Sequence, residues 1–225
     1  MTLINTKETV LSLVDQEVKG KALDIPAGKG DVSLKLKQKG YQVYAGDLNE
    51  DIFEMRDINF TKLNMNEGLP YADKSFDLIV CIEGIEHIEN PHHLIREFKR
   101  ILKTNGRLIL TTPNILNIRS RLKFLTLGFF FWFSPLTHGC GSIKHKLNLH
   151  INPIPLWELE FILTSNGFKI EKITTSNIDR VSFLPFLLVK FFSKIAKKYY
   201  TPQILTKEVL LGYNLIVKAR RWEIN

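Results

Sequence analysis

Two aspartates, Asp24 and Asp47, stand 23 residues apart, each at or just past the end of a short apolar run, and a turn holding Gly28 and Gly30 follows the first. A bare turn at the end of a buried strand lets a ligand approach the backbone with no Cβ in its way, and the next helix offers unpaired N–H groups. The turn has no Gly-x-Gly-x-x-Gly and no Gly-Lys-Ser/Thr, so it carries neither a dinucleotide fingerprint nor a triphosphate cradle. Asp24 inside it would repel a diphosphate and attract the ammonium of an amino acid. Asp47 falls where an open α/β nucleotide site puts the acid that binds ribose hydroxyls. Its other reading is a helix N-cap ahead of Asn49-Glu50-Asp51.

A second group of reactive side chains, Glu83, Glu86 and His87, follows the apolar run Ser75–Ile82. Three more histidines, His138, His145 and His150, lie beside Gly139 and Gly141 in an irregular segment downstream. A hydroxyl acceptor would need a base, and His87, His145 and His150 are the alternatives.

Positioning these groups on one edge takes a sheet. Ala22–Ile25, Tyr41–Ala45, Asp57–Leu63, Ser75–Ile82, Arg107–Thr112 and Phe168–Thr174 read as strands, and the continuous run at Ser75–Ile82 suits a central parallel strand covered on both faces. Helices alternate with them. One covers Val32–Gln38 and stops at Gly40; another follows Asn90-Pro91 with Leu94, Ile95, Phe98 and Ile101 on one face; a third covers Leu156–Asn166. Asn5 and Glu8 read as a capping box for a first helix that buries Val10, Leu11, Val14 and Val18. Val209–Arg220 alternates apolar residues and reads as the last strand.

The residues Asp24-Ile25-Pro26-Ala27-Gly28-Lys29-Gly30 resemble motif I of the class I S-adenosylmethionine-dependent methyltransferases, commonly Asp/Glu-x-Gly-x-Gly-x-Gly, with Pro26 in place of the first glycine. Leu69-Pro70-Tyr71-Ala72-Asp73-Lys74-Ser75-Phe76-Asp77 is similar to the phrase that enters the family's fourth strand, and the resemblance spans Ala22–Asn114. It implies a Rossmann-like, doubly wound α/β sheet of seven strands, mostly parallel with the last antiparallel, and S-adenosylmethionine as cofactor. By resemblance, Asp24, Gly28 and Gly30 frame the amino-acid end of that cofactor, Asp47 the ribose, and Asn64 with Met65 the adenine. Pro26, Leu48 and Glu83 are counted with them as cofactor-binding positions. Glu83-x-x-Glu86-His87 is similar to a pattern of the ubiquinone-biosynthesis O-methyltransferases that is associated with a divalent metal, so those three would be ligands under that reading and no metal is expected without it. The stretch through Asn166-Gly167-Phe168 resembles bacterial cell-surface-sugar methyltransferases.

The expected reaction is transfer of a methyl group to a hydroxyl of a small-molecule, sugar or lipid-linked acceptor. Two rivals remain: a nucleic-acid methyltransferase, suggested by the net charge of +8, and a non-catalytic binding protein, suggested by Pro26 and Asn64. No Asn/Asp-Pro-Pro-Tyr follows the fourth strand, which makes nucleic acid the poorer partner. At 225 residues and 44% hydrophobic content the chain is expected to form one domain over residues 1–225. Residues 115–155 are expected to be a helical lid over the substrate. Residues 183–200, with Lys190, Lys194 and Lys197 opposite Leu184, Leu187, Leu188 and Phe191, read as an amphipathic insertion suited to an anionic membrane surface. The two cysteines, Cys81 and Cys140, form neither a disulfide framework nor a zinc motif. With no leader and no spanning segment, a cytoplasmic location is expected, membrane-peripheral if that insertion docks.

Overall fold

The computed structural model describes residues 2–15, 17–133, 149–179 and 205–223. His138, Cys140, His145 and the 183–200 insertion lie outside the described residues. The strands are β1 (Lys21–Asp24), β2 (Gln42–Asp47), β3 (Asn59–Lys62), β4 (Phe76–Cys81), β5 (Leu102–Pro113), β6 (Phe168–Thr174) and β7 (Asn214–Arg221). They form one sheet in the order β3-β2-β1-β4-β5-β7-β6. β1 pairs in parallel with β2 and β4, as does β2 with β3 and β4 with β5, while β7 runs antiparallel to both β5 and β6.

Two apolar layers sandwich the central strands, which is why they lack polar alternation. Leu78 and Val80 of β4 face a cluster that includes Val10, Val14, Val32 and Leu36 from α1 (Thr2–Val14) and α2 (Asp31–Gln38). Ile79 and Cys81 face the other cluster, with Leu94, Phe98, Leu159 and Leu163 from α3 (Pro91–Ile101) and a helix at Leu156–Ser165. The period-two direction of strand side chains divides the run between the layers. The chain switches sheet direction between β1 and β4, and in open α/β sheets ligands bind at such a switch, beyond the carboxyl ends of the strands.

Beyond β5 comes α4 (Ile118–Leu127), capped by Asn117, whose side chain accepts from the Ser120 amide. The Leu156–Ser165 helix is α5, and a short α6 (Lys207–Leu211) precedes β7. Three local expectations need correction. Helix α1 begins before Asn5, so Asn5 is no cap, and its side-chain amide instead donates to Asn177 at 2.8 Å. Val18 lies past the helix and is 87% exposed. Val209–Leu211 is helical rather than extended: Thr206 caps the turn, all three residues are buried, and the strand starts only at Asn214. The last strand is therefore shorter at its start than its apolar alternation suggested.

Candidate active site

Asp24 ends β1 beneath the glycine turn and is 1% exposed. Its Oδ2 accepts from Ser33 Oγ at 2.6 Å, and burial pushes its carboxyl up to about 7 against that bond. An acid this poorly hydrated gains more from a cation than one in water does. Gly28 and Gly30 hold φ of +53° and +91°, which a side chain would strain. At Gly30 a Cβ would also fall 2.6 Å from Met55 Cγ, so this glycine seats the start of α2 on Met55 and Phe53.

Asp47 ends β2 opposite. Its Oδ2 accepts from the Gly28 amide at 2.9 Å and its Oδ1 from the Asn49 amide at 3.0 Å. The expected helix N-cap needs correction: the 3-10 turn Glu50–Ile52 is capped by Asn49, whose side chain accepts from the Asp51 amide, while Asp47 organises the turn before it and fixes the glycine loop from the neighbouring strand. Asn64, beyond β3, accepts from the Asn66 amide and donates to Glu67, which leaves its carbonyl oxygen one further lone pair.

These ends enclose a cavity of about 750 Å³, within the range of small-molecule and cofactor sites. Asp24, Pro26, Gly28, Asp47, Leu48, Asn64, Met65, Glu83 and His87 all line it; Gly30 stands behind the wall. Lys7 of α1 also reaches this cavity, paired with Asp31 at 2.9 Å, and no sequence pattern marked it. Ser33 and Thr111 are the other unmarked partners, the first bonded to Asp24 and the second donating to Glu83 Oε1 at 2.7 Å.

After β4 the chain makes a single 3-10 turn, Ile85–His87, whose Glu86 is wholly buried. A strand of loop returns to it: the amides of Ile151 and Asn152 both donate to the Glu86 carbonyl at 3.0 Å, and the Asn152 side chain donates to the Ile88 carbonyl. His87 Nδ1 lies 3.0 Å from the Leu149 carbonyl, which can only accept, so Nδ1 carries the proton and Nε2 keeps its lone pair. These bonds bring His150 edge-on to His87, ring centroids 4.8 Å apart. Burial holds both imidazoles below their ordinary range and pushes Glu83 and Glu86 above the usual carboxylate range, with Glu83 adding to the rise at Glu86. Two of the three candidate bases are thus brought together, and the third, His145, lies outside the described residues.

A seven-stranded sheet in this order, with β7 alone reversed and two acids facing one cavity from β1 and β2, is the architecture of class I S-adenosylmethionine-dependent methyltransferases. A family model described as a methyltransferase domain matches residues 6–173, and the chain belongs to that family. It is a methyltransferase that uses S-adenosylmethionine. It is 30% identical over 175 residues to a ubiquinone biosynthesis O-methyltransferase of Coxiella burnetii, a match covering 73% of this chain and 71% of that one. A ubiquinone/menaquinone biosynthesis C-methyltransferase of Pseudoalteromonas translucida is 31% identical over 102 residues, covering 39% of this chain and 40% of the relative. Among solved structures, a SAM-dependent methyltransferase from Archaeoglobus fulgidus shares the fold at a TM-score of 0.64 and 19% identity, over 95% of this chain and 94% of that one.

Proposed function

We propose that the chain transfers the methyl group of S-adenosylmethionine to a hydroxyl of a small acceptor that enters beside His87. The observation that carries this reading is the junction of two environments at the end of β4: a cavity with acids at one end, and a base cluster opening into it through His87. Asp24 holds the cofactor's ammonium, Lys7 its carboxylate, Asp47 the ribose hydroxyls, and Leu48, Asn64 and Met65 the adenine. Gly28 lets the backbone approach, Pro26 and Glu83 close the wall around the sulfonium, and Gly30 sets the helix behind them.

The reaction is an in-line displacement whose leaving sulfide needs no proton, so alignment and exclusion of water do most of the work. The acceptor oxygen must lose its proton, and the Glu86, His87 and His150 cluster receives it at His87 Nε2, which the Leu149 bond leaves free. Incubating the chain with methyl-labelled cofactor and a panel of phenols, sugars and lipid-linked hydroxyls tests this: a mass gain of one methyl on oxygen supports it, and transfer to carbon or nitrogen alone refutes it.

The lipid-linked form of the acceptor has its own support. From Leu122 to Gly128 no side chain of α4 is buried, and Leu125 is 81% and Trp132 50% exposed. Between Ile115 and Phe133 the chain has three basic residues and no acidic one. Arg119 and Lys123 lie over the Phe131 ring, an arrangement of cations and aromatics suited to an anionic bilayer surface. This protruding helix leaves the edge that carries the cavity, so a docked chain would present the cavity to a membrane-borne hydroxyl. No described helix is long and apolar enough to cross a membrane.

A further inference from the structure

Helix α1 buries a stripe of Thr6, Val10, Leu13 and Val14, and the first member of that stripe is polar. A buried hydroxyl is costly unless it is hydrogen-bonded, and this one is held from two sides. Thr6 Oγ1 accepts from Asn214 Nδ2 at 2.6 Å and lies 3.0 Å from Ser176 Oγ. Asn214 is buried too, and its Oδ1 accepts from the Ser176 amide at 3.2 Å and from the hydroxyls of Ser176 and Thr175 at 3.1 and 3.2 Å. One residue before Thr6, Asn5 Nδ2 donates to Asn177 Oδ1 at 2.8 Å. All of these bonds land on one neck, residues 175–178 and 212–214, closed by the Ile178–Gly212 bridge and by the Tyr213 amide on the Asn177 carbonyl. Asn114, just past β5, ties the neck to the sheet by donating to the Gly212 carbonyl at 2.8 Å. The neck stands at the carboxyl edge of β5, where Asn214 is paired with Pro113.

The residue after Thr6 is Lys7, which reaches the cofactor cavity. Its ammonium pairs with Asp31 at 2.9 Å and acts across space on Asp24, holding that carboxyl down against the rise that burial imposes. The ammonium and carboxylate of an amino acid hang from one carbon, so the acid that meets the first and the cation that meets the second must be spaced to match. Asp24 is fixed by burial and by its bond from Ser33. Lys7 is the adjustable partner, and a long side chain amplifies any rotation of the helix that carries it. The apolar contacts of Val10, Leu13 and Val14 are non-directional and resist such a rotation weakly, whereas hydrogen bonds weaken steeply when bent and so fix it. We propose that Asn214 and Ser176 are positioning residues that, through Thr6, hold Lys7 on the cofactor's carboxylate and make the site select S-adenosylmethionine over its decarboxylated form, a role that rests on Lys7 being the carboxylate's partner in the proposed reaction. Discrimination at the amino-acid end of the cofactor is thus set from the neck before β7, far along the chain from the glycine turn.

Calorimetry with S-adenosylmethionine and with decarboxylated S-adenosylmethionine, which keeps the adenosine, the sulfonium and the amine, tests this on the parent chain and on Lys7→Met, Thr6→Val, Thr6→Ser and Ser176→Ala. The readout is the ratio of the two affinities, because a merely loosened fold weakens both ligands together and leaves the ratio where it was. Lys7→Met should lower the preference for the carboxylated cofactor by about tenfold or more and Thr6→Val by about threefold or more, while Thr6→Ser, which keeps the hydroxyl, stays near the parent. If Thr6→Val fails to fold, Ser176→Ala removes only a half-buried hydroxyl and carries the test, with an expected fall of about twofold. An unchanged ratio in Thr6→Val, or in Ser176→Ala where it stands alone, overturns the positioning role, and a lowered ratio in Lys7→Met then leaves the carboxylate reading intact. An unchanged ratio in Lys7→Met overturns that reading and the positioning role with it. A folded parent chain that binds neither ligand overturns the cofactor site itself.

Discussion

Asp24 gives the sharpest test of how the cavity holds its cofactor. Its carboxyl is pushed up to about 7 by burial, so a bound ammonium must meet a group only half ionised near neutrality. The cofactor's own amino group, taken at the usual α-amino value of about 7.8, loses its proton only slightly higher. The fraction of encounters with both charges in place is about 0.5 at pH 7.4, about 0.09 at pH 6 and about 0.06 at pH 9. Affinity for S-adenosylmethionine should therefore be bell-shaped, about sixfold weaker at pH 6 and about ninefold weaker at pH 9 than at pH 7.4. In Asp24→Asn the acid limb should vanish, and affinity at pH 7.4 should fall by roughly 1.5–3 kcal/mol, or roughly 10- to 150-fold, for the lost charged contact. Calorimetry across pH on both proteins is the assay. An acid limb that persists in Asp24→Asn, or a parent chain with no acid limb, would refute the reasoning. The same raised pKa acts on folding with the opposite sign. This group's contribution to the ligand-free chain is fully present below pH 3.8 and is lost as pH rises through about 7, a loss that the bound ammonium offsets.

His87→Ala should lower kcat by about 10²- to 10⁴-fold while leaving the cofactor Kd nearly unchanged, and a parallel loss of cofactor binding would remove His87 from the acceptor side. Gly84→Ala places a Cβ 2.5 Å from Pro26 Cδ and 3.1 Å from Cys81 Sγ, beneath the cavity wall. Chemical unfolding should show it less stable by about 1–3 kcal/mol, and an unchanged midpoint would mean that the packing gives way freely. Leu122→Glu with Leu125→Glu should reduce sedimentation with anionic liposomes at low salt while cofactor affinity holds; equal sedimentation would deny α4 a membrane role.

Much of the fold was legible because burial on both faces leaves a simple trace. Leu78-Ile79-Val80-Cys81 has no polar alternation, and each residue goes to one apolar layer or the other. Asp24 and Asp47 were legible for a related reason: acids at the ends of two apolar runs must emerge at one edge of a parallel sheet. What stayed hidden was set by partners distant in sequence. Lys7 reaches the cavity only because α1 packs across the sheet, and its neighbours in sequence give no sign of it. His150 was named among the three candidate bases, but its place edge-on to His87 depends on backbone bonds to the Glu86 carbonyl that no spacing announces. Val209–Leu211 misled because three consecutive buried residues satisfy a strand pattern as readily as a tightly packed helical turn.

The central claim is that acids at the ends of β1 and β2 make one cofactor site. Titration of S-adenosylmethionine into the parent chain and into Asp47→Ala at pH 7.4 tests it most directly. One site per chain is expected, with affinity at least about tenfold weaker once the ribose acceptor and the anchor of the Gly28 amide are removed. No heat from the folded parent chain, or equal affinity in the two proteins, would contradict it.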